Sequence, residues 1–371
     1  MTHLFDPLAL GPLTLANRIV VSPMCQYAVE DGNAGDWHLM HLGQLAMSGA
    51  GLLVIEATAV EAEGRITPAD LGLYTDDNQA ALARVLAAVR RHSRMPIAMQ
   101  LGHAGRKASS HVPWGGGQAL RADEGGWTTS APSALPHAEG DPAPVALDAA
   151  GLARVKQAFV RAAQRADALG IDALELHAAH GYLLHQFLSP IANRRDDGYG
   201  GSLENRMRFP LEVLDAVRAA VPARLPVGVR ISATDWVDGG WDVAQSCVFA
   251  RELAAHGCAF IDVSSGGVSP QQKITLGPGY QVPLAEAIKA AAGLPTFAVG
   301  LVTEPAQAEA IVAEGRADAV AIGRAMLFEP HWPWRAAMEL GAEVSVPPQY
   351  WRSQPREAKA LFGAEARIGM R

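Results

Sequence analysis

Three side chains in one short stretch carry the clearest chemistry in this sequence. The run Leu174-Glu175-Leu176-His177-Ala178-Ala179-His180-Gly181-Tyr182 sets two imidazoles three residues apart after an apolar segment and follows them with a tyrosine. Two hydrogen-bond donors and a weak acid at the end of a strand can grip a carbonyl oxygen and then deliver a proton. The same spacing suits a zinc pair, or two histidines that only bond to backbone. Zinc needs a third ligand, and nothing in the spacing of His103 or His111 selects either one. The triplet by itself leaves these readings open, so the elements that position it decide between them.

Short apolar, β-rich runs recur at residues 19–23, 52–56, 97–101, 173–176, 227–231, 260–263, 296–299 and 319–322. Alanine-rich amphipathic segments lie between them at 78–92, 152–169, 205–220, 244–256, 282–292 and 305–314. Strands alternating with helices predict an α/β fold with a parallel sheet, and about eight such strands close a (β/α)8 TIM barrel. Gly170, Gly257 and Gly315 stand where helices give way to strands, as helix-ending glycines do. Residues 1–371 read as a single domain. The connection after the third strand, approximately 102–148, is rich in Gly, Pro and Ser and carries Trp114 and Trp127. A loop of that length in a compact domain predicts a lid or cap. The last stretch, approximately 347–371, is irregular and holds Tyr350-Trp351-Arg352.

Composition narrows the function classes. With 371 residues, 49% of them hydrophobic, the chain can bury a large core. A net charge of −7 without a basic run argues against nucleic acid as a partner. Cys25, Cys247 and Cys258 are too few and too scattered for a disulfide framework or a cysteine metal cluster, and they suit a reducing compartment. The start lacks a basic region followed by an apolar core, and the weakly polar stretch at 45–55 is too short to span a bilayer. The expectation is a cytoplasmic protein with no membrane partner. No lysine stands at an expected strand end, which counts against a Schiff-base aldolase.

In a barrel of this kind the chemistry lies at the C-terminal strand ends. In chain order those ends carry Ser22-Pro23-Met24-Cys25-Gln26-Tyr27, Glu56-Ala57, Gln100 to His103, the His177–Tyr182 run, Arg230, Ser264-Ser265-Gly266-Gly267, Gly300 and Gly323-Arg324. Loops after the seventh and eighth strands commonly hold a phosphate, and Arg324 can fork onto its oxygens. Gln100 and Arg230 suit a flat heterocycle with several acceptors, and a guanidinium beside it would favour an anionic reduced state. The competing reading of Arg230 is a salt bridge in the barrel mouth, for instance to Glu56 or Glu175.

With these residues in place the chain resembles the Old Yellow Enzyme family of FMN-dependent ene-reductases, in its bacterial thermophilic-like branch that includes xenobiotic reductases. The resemblance rests on Leu15-Ala16-Asn17-Arg18-Ile19, Pro23-Met24-Cys25-Gln26-Tyr27, Gln100-Leu101-Gly102-His103-Ala104-Gly105-Arg106, His177 to Leu184, Asn193 to Arg206, Pro278-Gly279-Tyr280-Gln281 and Gly323-Arg324. It implies FMN across the barrel mouth, with Ser22, Pro23, Met24, Cys25, Ala57, Gln100 and Arg230 around the ring and Gly300, Gly323 and Arg324 at the phosphate. It implies NADPH or NADH as reductant and hydride transfer to the β-carbon of an activated alkene: an enone, enal, maleimide or nitro-compound. His177 and His180 would hold the substrate carbonyl and Tyr182 would donate the proton. Cys25 would tune the flavin and Tyr27 would touch substrate. Trp351 and Arg352 would cross a two-fold interface into the neighbour's site, making a homodimer or homotetramer. No metal is implied. Dienoyl-CoA reductases carry extra domains and an iron–sulfur cluster, for which this chain lacks the length and the four clustered cysteines. The alternative from another class is a flavin-binding redox sensor acting through Cys25.

Overall fold

The computed structural model describes residues 2–366. The chain enters through a short antiparallel hairpin, β1 (Leu8–Leu10) and β2 (Leu13–Leu15). The barrel then begins with β3 (Ile19–Val21), β4 (Leu52–Ala59) and β5 (Ile97–Gly102). A minimal parallel pair, β6 (Ser130–Ala131) and β7 (Val145–Ala146), lies in the long connection that follows. The barrel resumes with β8 (Ala173–Ala178), β9 (Val227–Ser232), β10 (Ile261–Ser264), β11 (Thr296–Ala298) and β12 (Ala319–Ile322). The eight barrel strands pair in parallel in that order, and β12 closes on β3 through Val320–Ile19, Ala321–Val20 and Ile322–Val21. The expected (β/α)8 barrel is present, with its strands at the expected places.

Ten helices surround it among the described residues: α1 (Asp36–Ala46), α2 (Asp76–Arg90), α3 (Ala149–Ala168), α4 (Leu183–Leu188), α5 (Leu203–Ala220), α6 (Val243–Ala255), α7 (Val282–Ala292), α8 (Pro305–Ala313), α9 (Arg324–Phe328) and α10 (Trp332–Leu340). The helix α3 shows why the sequence was readable. Leu152, Val155, Ala158, Phe159, Ala162, Ala163 and Ala166 form one buried stripe, and Asp148 caps the start by accepting from the Gly151 N–H at 2.8 Å. Gly170, Gly257 and Gly315 adopt φ near 71–73° just beyond α3, α6 and α8, the left-handed turn that ends a helix. Helix α1 carries no clear helical periodicity in its sequence, for a physical reason. It buries His38, Leu42, Leu45 and Ala46 yet exposes Trp37, Leu39 and Met40, so apolar residues lie on both faces and the periodicity is blurred.

The connection expected to be a cap is partly ordered. Single 3-10 turns at Gly105–Lys107, Pro113–Gly115 and Ala122–Glu124, with the β6–β7 pair, replace a structureless loop. At β4 the pairing with β5 slips between Ile55 and Thr58. That irregularity falls on Glu56 and Ala57, and such a slip re-aims side chains beside a site.

The barrel interior divides along its axis. Its N-terminal half is apolar: Val20, Leu52, Val54, Ala98, Phe260 and Phe297 belong to one cluster at the strand starts, with the Phe260 and Phe297 rings stacked at 4.9 Å. Leu10 and Leu15 of the hairpin join this cluster fully buried. The hairpin is therefore a plug at the end opposite the strand C-termini. Leu10→Ala is expected to cost about 2–5 kcal/mol of stability by opening a cavity there. Thermal or urea denaturation checks this, and kcat per folded molecule should be unchanged because the plug is remote from the strand C-termini.

Candidate active site

At the C-terminal end of β8 the chain turns sharply through Ala179, His180, Gly181 and Tyr182, and the Tyr182 N–H donates to the Ala179 carbonyl at 3.1 Å. His180 makes this turn with φ of 58°, in the left-handed region that residues with a Cβ rarely occupy. Neighbouring elements hold it there. Its N–H donates to Ser232 Oγ at 2.9 Å, and its carbonyl accepts from Lys107 Nζ at 2.8 Å. Gly181 and Gly267 let two backbones touch: a Cβ on Gly267 would lie 2.5 Å from the His180 carbonyl, and one on Gly181 would lie 2.1 Å from Gly267 O. Lys107 Nζ also donates to Gly267 O at 2.9 Å and sits 5.0 Å from the Tyr182 ring centroid. All three of its N–H bonds thus have a carbonyl or an aromatic face to meet. Burial and the neighbouring Arg106 pull this ammonium down to about 8. Beneath the turn, His185 Nδ1 accepts from the Gly181 N–H at 2.8 Å while Nε2 faces the buried Asp235 carboxylate at 2.9 Å.

The turn brings three rings together edge to face. His177 and Tyr182 lie 4.9 Å apart by centroid, and His177 and His180 lie 5.0 Å apart. His177 Nε2 and His180 Nδ1 approach to 3.3 Å. Burial first, and the positive charge of Arg230 second, hold both imidazoles well below the usual histidine range. Burial, then Cys25 and Tyr27, pushes the Tyr182 phenol well above its ordinary value. The arrangement therefore presents neutral imidazoles and a phenol that keeps its proton, which is what an oxygen grip with an adjacent acid requires.

Beside the rings opens a cleft of about 330 Å³. Ser22, Pro23, Met24, His180, Arg230, Gly300, Gly323 and Arg324 all line it. Ala57 lines an adjoining pocket with His177 and Tyr182. Tyr27 faces outward to a third pocket with Lys107 and His137, its ring edge-on to Trp114 of the cap at 5.7 Å. Gly300 has φ of 115°, which a side chain would resist, and a Cβ on Gly323 would point at Met24 Sδ, 3.5 Å away across the cleft wall.

The floor is polar. Gln100 Nε2 donates to Glu175 Oε1 at 2.7 Å, and Arg230 Nε meets Asp262 Oδ2 at 3.0 Å. The ion pair considered from the sequence is thus real, but its partner is neither Glu56 nor Glu175. The β9–β10 register sets Arg230 directly beside Asp262. Glu56 is engaged elsewhere, by His38 Nε2 at 3.1 Å and the Gln26 N–H at 2.8 Å, and so braces the Cys25–Tyr27 segment. The terminal guanidinium nitrogens of Arg230 donate to no described residue, which leaves donors directed at whatever fills the cleft. Burial, followed by the Asp70 and Glu56 carboxylates, pushes the half-buried Cys25 thiol well above its normal value.

Not every expected residue converges here. Trp351 and Arg352 lie on a 3-10 turn, Pro348–Ser353, and do not line the cleft of their own chain. Trp351 Nε1 donates to Val346 O at 3.0 Å, while Arg352 is exposed. Residues 367–371 of the terminal segment lie outside the described residues. His103 pairs with Glu61 at 2.9 Å and His111 with Glu124 at 3.4 Å, so neither joins the His177–His180 pair. Conversely, Lys107, Ser232, Ser264, Asp262 and the His185–Asp235 pair were given no role from the sequence. The available signal was a polar residue closing an apolar strand, as in Val229-Arg230-Ile231-Ser232 and Ile261-Asp262-Val263-Ser264.

The donor set fits FMN: Arg230 lines the cleft with uncommitted guanidinium nitrogens, and Gly300, Gly323 and the exposed Arg324 line it with a surface that suits a phosphate. Comparison with known proteins agrees. The model of the NADH:flavin oxidoreductase / NADH oxidase family matches residues 3–343. An NADPH dehydrogenase of Geobacillus thermodenitrificans is 44% identical over 95% of this chain and 98% of its own. An NADH:flavin oxidoreductase of Gibberella zeae is 43% identical over 93% of this chain and 87% of its own. Among solved structures, morphinone reductase superposes with a TM-score of 0.74 at 32% identity, covering 94% of this chain and 91% of that one. A 2-naphthoyl-CoA reductase superposes with a TM-score of 0.81 at 25% identity, but this chain covers only 52% of it. The chain belongs to the NADH:flavin oxidoreductase / NADH oxidase family, as its resemblance to the Old Yellow Enzymes implied.

Proposed function

We propose that this flavin oxidoreductase is an ene-reductase for activated alkenes: enones, enals, maleimides or nitro-compounds. The observation that carries the reading is the approach of His177 Nε2 and His180 Nδ1 to 3.3 Å, with the Tyr182 ring beside them, at the edge of a glycine-lined cleft. Ser22, Pro23, Met24, Cys25, Ala57, Gln100 and Arg230 would surround the FMN ring, and Gly300, Gly323 and Arg324 would hold its phosphate. Bound FMN, reduced by NADPH or NADH, supplies a hydride. The protein's part is to position, polarise and protonate. Two N–H donors on one carbonyl oxygen draw electron density from the conjugated alkene and make its β-carbon electrophilic. The Tyr182 hydroxyl, held un-ionised, protonates the α-carbon. The cap and its Tyr27–Trp114 contact would wall the substrate side. In the competing reading Cys25 senses redox state without turnover, yet a thiol whose ionisation is suppressed is a poor sensor.

An assembly with a two-fold partner extends the proposal. Arg352 is exposed and makes no hydrogen bond or ion pair among the described residues, while Trp351 anchors the turn that carries it. Arg352 would enter the neighbouring copy's active site. Arg352→Ala is expected to raise KM for alkene or nicotinamide about tenfold, the scale of one charged hydrogen bond. Sedimentation showing a fully active monomer would defeat this part.

The class itself is tested with the purified holoenzyme. Its flavin absorbance should bleach on anaerobic addition of NADPH and return on addition of cyclohexenone, with sustained turnover when both are present. The double variant His177→Ala, His180→Ala should retain FMN and lose at least about 10²-fold in enone turnover. Undiminished turnover would end the assignment. Tyr182→Phe should slow alkene reduction more than flavin reduction, by about 10² or more unless water substitutes for the hydroxyl. Stopped-flow measurement of the two half-reactions separates them, and equal slowing of both would make Tyr182 structural.

A further inference from the structure

Two imidazoles that both donate to one oxygen need matched tautomers. For His177 a single contact decides. The Ala179 N–H donates to its Nδ1 at 3.2 Å, so the neutral ring carries its proton on Nε2, the nitrogen 3.3 Å from His180 Nδ1. His180 has two choices, because a neutral imidazole has one N–H. Its Nε2 lies 2.7 Å from Ser264 Oγ. With the proton on Nε2, His180 donates to Ser264 and its Nδ1 accepts from His177. The pair is then closed on itself, and only one of its donors can turn to a ligand. With the proton on Nδ1, the Ser264 hydroxyl donates to Nε2, and both rings aim an N–H at the same space.

Ser264 can serve either state. Its Oγ is 3.4 Å from Gln281 Oε1, which already accepts from Ser265 Oγ at 2.5 Å. The Ser264 proton is therefore weakly committed and free to turn toward the histidine. Its position is also fixed by the barrel. Ser264 on β10 is in register with Ser232 on β9, and Ser232 is the residue that holds the His180 N–H. Adjacent strand ends thus supply one hydroxyl to the backbone of His180 and one to its ring.

We propose that Ser264 is a positioning residue that sets the tautomer of His180, donating to Nε2 when an oxygen ligand binds and so converting a self-paired histidine couple into a two-donor grip. The inference rests on the reading of the pair as a carbonyl grip. Protons balance: the Nε2–H of the resting ring is released to water, an Nδ1–H is taken from water, and the serine proton turns from Gln281 to Nε2. Ser264 also lines the flavin cleft, so flavin content is measured in every variant.

The test uses 15N-histidine-labelled holoenzyme titrated with a phenolate, whose oxygen stands in for the substrate's. In the wild-type complex the His180 nitrogen shifts should report the proton on Nδ1. Ser264→Ala should lose that signature and weaken the phenolate Kd about 3- to 10-fold, the loss of one hydrogen bond, and Ser264→Thr should restore both. A wild-type complex with the His180 proton on Nε2 overturns the proposal whether or not the alanine variant folds. Ser264→Ala with wild-type Kd and the Nδ1–H signature also overturns it. If instead the His177→Ala, His180→Ala holoenzyme binds phenolate as tightly as the wild type, it is the grip reading that fails.

Discussion

The site depends on one backbone residue held in an uncommon conformation. His180 turns the chain in the left-handed region, and that turn is what aims its ring back at His177 instead of out along α4. Such a conformation persists only where the surroundings over-determine it. Here they do so from three sides. A serine from β9 takes the N–H, a lysine from the cap side takes the carbonyl, and glycines allow the two turns to meet without side chains between them. The barrel supplies rigid strand ends, and the ends supply the anchors. The geometry of the candidate site is thus a property of strand register, since a slip in β9 or β10 would move Ser232 or Ser264 to the other face of the sheet.

A second constraint is the charge inside the barrel mouth. Arg230, Asp262 and Glu175 are buried together, and Gln100 adds a neutral partner to Glu175. One guanidinium cannot keep two buried carboxylates ionised. Burial and the neighbouring Asp262 raise Glu175, and burial raises Asp262 despite the attraction of Arg230. The arrangement favours one carboxylate and one carboxylic acid, with little net charge below the cleft. Burial does most to keep His177 and His180 neutral, and the positive charge of Arg230 adds to it. The same guanidinium therefore helps the floor and disciplines the donors above it.

The barrel was legible because its strands are buried on both faces and its helices show single apolar stripes ended by glycine. Of the expected strand-end residues, Ser22 to Met24, Arg230, Gly300, Gly323 and Arg324 line one cleft, while Cys25, Ala57 and Gln100 do not line it. Sequence reading was weaker where a role depends on what crosses from another element. The partner of Arg230 is set by the register of β9 on β10, which no local pattern reveals. Lys107 lies in a 3-10 turn of the connection after β5, and the two carbonyls that flank its ammonium come from other loops, which no local pattern reveals. Helix α1 was missed because its exposed aromatic and aliphatic residues mask its buried face. The role expected of Trp351 depends on a second copy of the chain, which no pattern within one chain can supply; within its own chain the indole donates to Val346 O.

The suppressed ionisation of Cys25 has a consequence for the enzyme's own survival. Conjugated enones and maleimides are Michael acceptors, and they alkylate thiolates far faster than thiols. An enzyme that admits such molecules beside a cysteine risks being inactivated by its own diet. Here burial, then the Asp70 and Glu56 carboxylates, push the Cys25 thiol up and so favour its un-ionised form. On the proposed reading, the surroundings that shape the flavin's thiol neighbour also protect it against self-poisoning, so that the alkene meets a hydride before it meets a nucleophile.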